Sequence, residues 1–374
     1  MKLQRHGVAL AIAAAGALLL SACGSDPTTT ASGSSSAATN SPAVDCSGKQ
    51  SLNAEGSSAQ KNAIDVFTQA YQAKCQGANI AYNPTGSGAG IKQFTAGLVD
   101  FGGSDSALKE SEAQAAAARC QGNPAWNLPL VFGPVALAYN LDGVEKLTLS
   151  GEVAAKIFNG TIKTWNDPAI AALNSGVNLP STPINVVFRS DESGTTDNVQ
   201  KYLEAASKGA WTQGAGKKFN GGVGSGAEKS AGVAKAVAGA PGSITYVELA
   251  FAQDNKLGIA QIDNGSGAVV LNDESVGKAI EAAKIKGTGN DLALDLNSVY
   301  GTTAAGEYPL ILATYEIVCS KGYDADTAKA VKAFLTVAAT DGQANLAEAG
   351  YAKLPAAFQQ KLLTSIQAID SGSQ

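Results

Sequence analysis

The chain alternates short β-prone segments with segments whose apolar residues recur at helical spacing. Residues 50–53, 79–83 and 184–189 are β-prone, and each precedes one of the three clearest helical patterns. Strands that alternate with helices are typical of parallel βαβ units, and 374 residues suffice for two domains, so an α/β protein is predicted. The apolar faces of the three predicted helices are Ala63, Ile64, Phe67, Ala70 and Tyr71; Ile91, Phe94 and Leu98; and Val199, Tyr202, Leu203 and Ala206.

The N-terminus has the features of a secretory signal. Lys2 and Arg5 precede an apolar run over residues 8–20, which is too short to span a membrane as a stable helix. The run ends in Leu-Ser-Ala-Cys at residues 20–23, which resembles the lipobox of bacterial lipoproteins. We therefore expect a lipoprotein signal peptide over residues 1–22 and a lipid on Cys23. The alternative is an ordinary secretory signal followed by an incidental cysteine.

Residues 23–45 are predicted to be the lipidated cysteine and a flexible tether. Between residues 24 and 41 the chain is almost entirely small and polar, and it cannot build a hydrophobic core. We expect an extracytoplasmic folded part that is lipid-anchored to the cell membrane through this tether.

Charge and histidine content exclude several functions. Without residues 1–22 the chain would keep 25 basic and 32 acidic side chains, so nucleic acid is not an expected partner. The only histidine is His6, inside the predicted signal. A mature chain without histidine has no histidine general base and lacks the commonest metal ligand. We therefore expect a protein that is not an enzyme, with no catalytic residue, metal or cofactor.

Four cysteines follow Cys23, and an even number outside the cytoplasm predicts two disulfides with three possible connectivities. Cys46 and Cys75 precede the first two predicted strands, so both would lie at the same end of neighbouring parallel strands. We favour a bond between these two. A metal site is the alternative, although the spacings match no zinc pattern. The four candidates are Cys46, Cys75, Cys120 and Cys319.

Each of the three predicted helices begins in a turn of hydroxyl and glycine residues: EGSSAQ at 55–60, TGSGAG at 85–90 and ESGTTD at 192–197. A helix N-cap is the simplest explanation of any one turn. However, ligands of open α/β sheets bind beyond the carboxyl ends of the strands, where all three turns must lie. Three helix N-termini with hydroxyl groups predict an anion site. In the second turn, the glycines would let the backbone and Ser87 approach the bound ion closely.

Two charged residues complete the predicted site. Arg189 ends a strand shortly before the third turn, and Asp191 is close enough to hold its guanidinium group, whose planar fork suits a tetrahedral oxyanion. The alternative is a surface Arg–Asp pair. Asp105 follows the strand and glycine pair of VDFGGSDS. A carboxylate in an anion site is useful when the anion carries a proton.

The combined motifs resemble those of the high-affinity phosphate-binding proteins of bacterial phosphate ABC importers. The resemblance rests on GSSA, GSGAGIKQF, VDFGGSDS, GTIKTWNDPAIAALN, NLP and RSDESGTT, in this order, and runs from about residue 51 to the C-terminal region. It implies a two-lobed type II periplasmic-binding-protein fold. In this fold each lobe has a mostly parallel central sheet flanked by helices, and two crossover strands form the hinge. We expect lobe I at 46–136 and 312–374, lobe II at 137–311, and crossings near 132–140 and 310–319.

The resemblance also implies which residues bind inorganic phosphate. The first turn contributes Ser58 and the backbone N–H of Ala59, Asp105 accepts the phosphate proton, Arg189 clamps two oxygens, and Asp191 orients Arg189. The remaining expected phosphate ligands are Ser87, Ser193, Gly194 and Thr195.

This sequence departs from the family pattern in several places. Ala59 replaces a larger residue, and Glu192 stands where glycine is common, so we expect its carboxylate to point to solvent. No ligand is assigned in the altered segments GSGAEKSAGVAKAV and ITYVELAFA. Trp165 of the IKTWNDPAI segment is expected to be structural rather than a ligand contact.

The resemblance implies a membrane-tethered receptor that delivers phosphate to the permease subunits of an ABC importer. Two alternatives remain open at this point. One is a secreted phosphoester hydrolase with Ser193 or Ser87 as nucleophile. The other is a surface adhesin built on the same fold.

Overall fold

The computed structural model describes residues 42–371. Strands and helices alternate along the chain, so the predicted α/β class is confirmed. The strands are β1 (Ser51–Gly56), β2 (Asn79–Asn83), β3 (Phe101–Ser104), β4 (Ala125–Asn140), β5 (Thr148–Ser150), β6 (Asn185–Arg189), β7 (Ser225–Ala227), β8 (Ser243–Glu248), β9 (Gly258–Ile259), β10 (Gln261–Asp263), β11 (Ala268–Val269), β12 (Lys284–Ile285), β13 (Leu294–Asp295) and β14 (Ile311–Cys319). The helices are α1 (Lys61–Lys74), α2 (Ser87–Thr95), α3 (Glu110–Arg119), α4 (Gly151–Phe158), α5 (Pro168–Leu173), α6 (Gly194–Ala206), α7 (Lys229–Ala238), α8 (Leu249–Asp254), α9 (Asp273–Ala282), α10 (Asn297–Tyr300), α11 (Ala325–Ala339) and α12 (Ala356–Gln367), with a 3₁₀ turn at Asp341–Gln343.

The three helical patterns correspond to α1, α2 and α6, and the β-prone segments before them correspond to β1, β2 and β6. Their apolar faces are buried, with Ala70 and Ala206 only partly so, and one residue needs correction. Leu98 does not belong to the buried face of α2, because that helix ends at Thr95 and Gly97 then takes a positive φ of 72°. The Leu98 side chain is 68% exposed.

The main sheet has the strand order β2-β1-β3-β14-β4-β8-β6-β7 within residues 42–371. At one end β1 pairs in parallel with both β2 and β3, and at the other end β6 pairs in parallel with both β7 and β8. Between these parallel sets, β14 and β4 pair antiparallel to their neighbours. The carboxyl ends of β1, β2 and β3, and those of β6, β7 and β8, therefore carry the loops from which the site is built.

Strand β4 joins the two parts of the sheet. Its residues 125–134 pair with β14, whereas residues 135–140 pair with β8. The strand is buried over nearly all of its 16 residues, as expected for a strand covered on both faces. The sheet is consequently continuous from one set of parallel strands to the other.

The structure contains two disulfides, Cys46–Cys75 and Cys120–Cys319. The first confirms the favoured pairing, because Cys46 and Cys75 precede β1 and β2, which are parallel neighbours. The second joins the residue after α3 to the last residue of β14.

The two disulfides are expected to differ in their contribution to stability. Replacing Cys120 and Cys319 together by alanine should lower the free energy of unfolding by about 2–5 kcal/mol, because the bond closes a long loop. The same replacement at Cys46 and Cys75 should cost about 1–2 kcal/mol less, since the sequence separations are 199 and 29 residues. Urea unfolding of both variants measures the difference. A larger loss at Cys46–Cys75 would contradict the loop-length argument.

Trp165 is a core residue, as predicted. Its side chain is fully buried, its ring lies 6.3 Å from that of Tyr139, and its indole N–H donates to the Gly242 carbonyl at 3.0 Å.

Among the helices that the structure describes, none has the length and apolar composition needed to cross a bilayer.

Candidate anion site

The turn between β1 and α1 contributes three small residues to the cleft. Ser58 is buried, and its Oγ lies 3.0 Å from Ser230 Oγ at the start of α7; it also accepts from Ser230 N at 3.1 Å. The backbone N–H of Ala59 donates to Ser57 Oγ at 3.0 Å. Ser57 thus holds the turn by an internal hydrogen bond, and Ser58 joins the turn to Ser230 at the start of α7.

Asp105 follows β3 and is the centre of a hydroxyl cluster. Its Oδ1 accepts from Ser57 Oγ at 2.5 Å and Thr314 Oγ1 at 2.7 Å, and its Oδ2 accepts from Ser87 Oγ at 3.1 Å. Burial raises the pKa of Asp105 to about 6 against the opposing effect of the Ser57 hydrogen bond, and the Glu248 carboxylate adds to the increase. Asp105 is therefore mainly ionised at neutral pH and can accept a further hydrogen bond.

Arg189, the last residue of β6, is buried and carries the positive charge of the cleft. Its Nε donates to Asp191 Oδ1 at 2.7 Å, its Nη2 donates to Asp191 Oδ2, and its Nη1 donates to Ser230 Oγ at 3.2 Å. Burial alone would lower the pKa of Arg189, but the Asp191 carboxylate outweighs it and the pKa is raised. For Asp191 burial acts in the opposite direction, and the guanidinium group keeps the pKa of that carboxyl below its usual value. Asp191 therefore orients Arg189, as predicted.

The third predicted turn forms the N-terminus of α6. Ser193 is the N-cap, and its Oγ accepts from Thr196 N at 3.2 Å. Gly194 N donates to Ser87 Oγ at 3.2 Å. A Cβ at Gly194 would lie 2.6 Å from both Asp105 Cβ and Ser87 Oγ, so only glycine permits this approach. Thr195 Oγ1 donates to Glu248 Oε1 at 2.6 Å.

All predicted site residues therefore lie in one buried region, reached from the carboxyl ends of strands in both parts of the sheet. Several polar residues in this region were not predicted from the sequence. Ser230 lies in GSGAEKSAGVAKAV and Glu248 in ITYVELAFA, the two segments to which no ligand was assigned. A serine at a helix start and an acid at a strand end were the available signals. The missed residues are Ser57, Ser230, Glu248 and Thr314.

Glu192 precedes the N-cap of α6 and forms ion pairs with two exposed lysines. Its carboxylate pairs with Lys92 Nζ at 2.7 Å and with Lys218 Nζ at 3.7 Å, and the side chain is 32% exposed. The hydrogen bond from Lys92 lowers the pKa of Glu192. The Glu192 side chain is thus partly exposed to solvent, where it forms an ion pair.

The glycines before and in α2 allow other parts of the chain to approach closely. A Cβ at Gly86 would lie 2.5 Å from Asp191 Oδ2, and one at Gly88 would lie 2.4 Å from Glu192 Cβ. A Cβ at Gly90 would lie 2.5 Å from Gly56 Cα. These glycines make room for the segment after β6 and for β1.

Comparison with known proteins identifies the family. Residues 26–341 match the model of the PBP superfamily domain. The chain is 51% identical over 371 residues to phosphate-binding protein PstS 3 of Mycobacterium tuberculosis, covering 99% of this chain and 100% of that protein. It is 52% identical over 373 residues to PstS 2 of the same species, again over 99% and 100% of the two chains.

A solved structure of a high affinity periplasmic phosphate-binding protein bound with phosphate has a similar fold. The TM-score is 0.68 at 24% identity, over 84% of this chain and 93% of that one. This likeness, with the PBP superfamily match, confirms the predicted two-lobed α/β fold. The chain therefore belongs to the PstS family of phosphate-binding proteins within the PBP superfamily.

Proposed function

We propose that this protein binds inorganic phosphate between two lobes and delivers it to the permease subunits of an ABC importer. The observation that carries the proposal is the meeting of Asp105 and Arg189 in one buried cleft, together with hydroxyl groups and helix N-termini. Arg189 offers a fork to two oxygens of a tetrahedral anion, and ionised Asp105 offers an acceptor that only a protonated anion can use. The proposed phosphate ligands are Ser58, the N–H of Ala59, Ser87, Asp105, Arg189, Ser193, Gly194 and Thr195.

We assign the first lobe to residues 46–136 and 312–374 and the second to 137–311, with the hinge in β4 and at the start of β14. The change of partner along β4, from β14 at residues 125–134 to β8 at residues 135–140, supports this division. Several hydrogen bonds join the two groups of residues. Ser58 contacts Ser230, Ser87 contacts Gly194, and Ser106 Oγ donates to Asp197 Oδ2 at 2.6 Å. Separation of the lobes would break these contacts and open the site to solvent.

Cys23 and most of the tether lie outside the described residues, so the anchor rests on the sequence alone. We infer that Cys23 carries the lipid after removal of residues 1–22, which holds the receptor on the outer side of the cell membrane. Its relatives are named as binding proteins rather than as enzymes, in accord with a receptor that releases its ligand unchanged.

Titration calorimetry of the chain from residue 24 onwards tests the binding step. Phosphate and arsenate should bind with roughly micromolar affinity or tighter, given the small number of ligand atoms. Sulfate should not bind measurably. The absence of phosphate binding would contradict the proposal, and unchanged phosphate uptake after deletion would contradict the delivery step and leave an adhesin role.

Rejection of sulfate is expected to depend on pH. Since the pKa of Asp105 is raised to about 6, the carboxyl is ionised above that pH and repels sulfate. Below it the protonated carboxyl can donate to a sulfate oxygen, so sulfate should compete better at pH about 5 than at pH about 8. Competition titrations measure the change, with Asp105→Asn as the variant that should lose it. An equal pH dependence in both proteins would assign the effect elsewhere.

A further inference from the structure

Glu316 is a fully buried carboxyl group on β14, two residues after Thr314, whose hydroxyl group contacts Asp105. It lies on β14 opposite Gly103 of β3, and paired residues of neighbouring strands share a face of the sheet. A Cβ at Gly103 would lie 2.5 Å from Gln60 Nε2 and 2.6 Å from Tyr82 Oη, so these two side chains occupy that face. Glu316 therefore belongs to the polar layer beneath the Ser57–Gln60 turn.

This layer has unsatisfied acceptors and lacks a donor. Gln60 Nε2 donates to Tyr82 Oη at 3.1 Å, and Tyr82 Oη donates to the Ser57 carbonyl at 2.7 Å. Gln60 Oε1 and both carboxyl oxygens of Glu316 have no hydrogen-bond partner in the part of the chain that the structure describes. If Glu316 carried its proton, its hydroxyl would be the missing donor for Gln60 Oε1, and two of the three unpartnered atoms would be satisfied.

The charges around Glu316 also favour the protonated form. The titratable groups that influence Glu316 or its neighbour Tyr82 are Asp105 and Tyr351, and no lysine or arginine forms an ion pair with Glu316 within the described residues. Burial raises the pKa of Glu316 to about 8, the Gln60 amide opposes this in part, and Asp105 adds to it.

Asp105 and Glu316 are therefore expected to differ in protonation state. Asp105 accepts hydrogen bonds from three hydroxyl groups, which favours its ionised form. The carboxyl oxygens of Glu316 have no hydrogen-bond partner of good geometry among the described residues, and the nearby Gln60 amide opposes the effect of burial only in part. Of two interacting carboxyl groups, the one with fewer donors holds the proton.

We propose that Glu316 is a proton-bearing positioning residue whose hydroxyl donates to Gln60 Oε1, holds the Ser57–Gln60 turn in its binding geometry, and weakens phosphate binding when it ionises. The proposal rests on the phosphate-binding function inferred above. Loss of the proton would remove the hydrogen bond to Gln60, which is the N-cap of α1, and would place a second negative charge near Asp105. Both effects act against an anion in the cleft.

The first test compares wild type with Glu316→Gln, which is neutral at every pH and keeps a donor for Gln60 Oε1. The ratio of their phosphate dissociation constants cancels the ionisation of phosphate itself. Between pH about 6.5 and 7.5 the ratio should stay constant within about twofold, and above pH about 8 wild type should weaken relative to the variant by up to about tenfold per pH unit. Glu281→Gln, at an exposed position, should behave as wild type. A ratio independent of pH would overturn the proposal.

A second measurement needs no variant. In wild type with ¹³C-labelled glutamate side chains, one carboxyl carbon should titrate near pH 8 by NMR, far above the usual range for glutamate. The absence of such a signal would overturn the proposal even if Glu316→Gln fails to fold. If phosphate binds at no pH but this titration is present, the proposed function fails while the protonation of Glu316 stands.

Discussion

Replacing Arg189 by alanine is expected to reduce phosphate affinity by about two to four orders of magnitude. The guanidinium group is buried, and Arg189→Ala would remove it from the anion and from Asp191, whose carboxylate would remain in the cleft without its partner. Truncating one partner of a buried, hydrogen-bonded charge pair across a binding interface costs about 2–5 kcal/mol, and here the bidentate contact to the anion would be lost. Calorimetry with phosphate measures the change.

Two further variants make the Arg189 experiment specific. Lys92→Ala removes a cation that is mostly exposed and pairs with Glu192, so it should change affinity by less than about tenfold. Arg189→Lys keeps the charge but not the planar fork, and it should restore only part of the binding. Circular dichroism checks that each variant is folded. Phosphate binding by Arg189→Ala at wild-type strength would show that another cation holds the anion.

Asp105→Asn is expected to convert a receptor that rejects sulfate into one that accepts it. The asparagine oxygen can replace Oδ1 as acceptor for Ser57 and Thr314, and its amide nitrogen would take the place of Oδ2 beside Ser87. Phosphate should then lose about 1–2 kcal/mol, since one neutral oxygen replaces a charged acceptor. Sulfate should gain more, because repulsion disappears and an N–H donor is added.

Competition between phosphate and sulfate at neutral pH decides the role of Asp105. Arsenate, which also keeps a proton, should follow phosphate in both proteins. Glu192→Gln serves as the matched control, since it removes a partly exposed carboxylate that is paired with Lys92, and it should leave the sulfate-to-phosphate ratio unchanged. If Asp105→Asn excludes sulfate as strictly as wild type does, Asp105 is not the discriminating group.

Much of the fold and part of the candidate site could be predicted from patterns within short segments of the sequence. The strand-turn-helix units around α1, α2 and α6 were found because helical and strand periodicity are properties of short segments. Asp105 and Arg189 were predicted as site residues because they lie at or just after the carboxyl end of a strand, where ligands of α/β sheets bind, whereas Ser58 was implied by the resemblance to phosphate-binding proteins. Leu98 was wrongly included in α2, since periodicity alone does not locate the end of a helix.

Residues with no local signal were missed for a physical reason. Thr314 is one residue of a buried strand, and it reaches Asp105 only because β14 lies next to β3 in the sheet. Glu248 reaches Thr195 because β8 pairs with β6, and Ser230 reaches Arg189 because α7 follows the neighbouring strand β7. Strand order is a long-range property that no segment encodes by itself.

The sequence by itself determined the α/β class, the favoured Cys46–Cys75 bond and the types of group that meet an anion, because periodicity, cysteine position and side-chain chemistry are local. Only the tertiary structure decided what surrounds those groups. It placed three hydroxyl groups on Asp105, left the carboxyl oxygens of Glu316 without a hydrogen-bond partner among residues 42–371, and brought Gly86 and Gly88 against Asp191 and Glu192. Burial and close approach depend on residues distant in the chain, and pKa values follow from both.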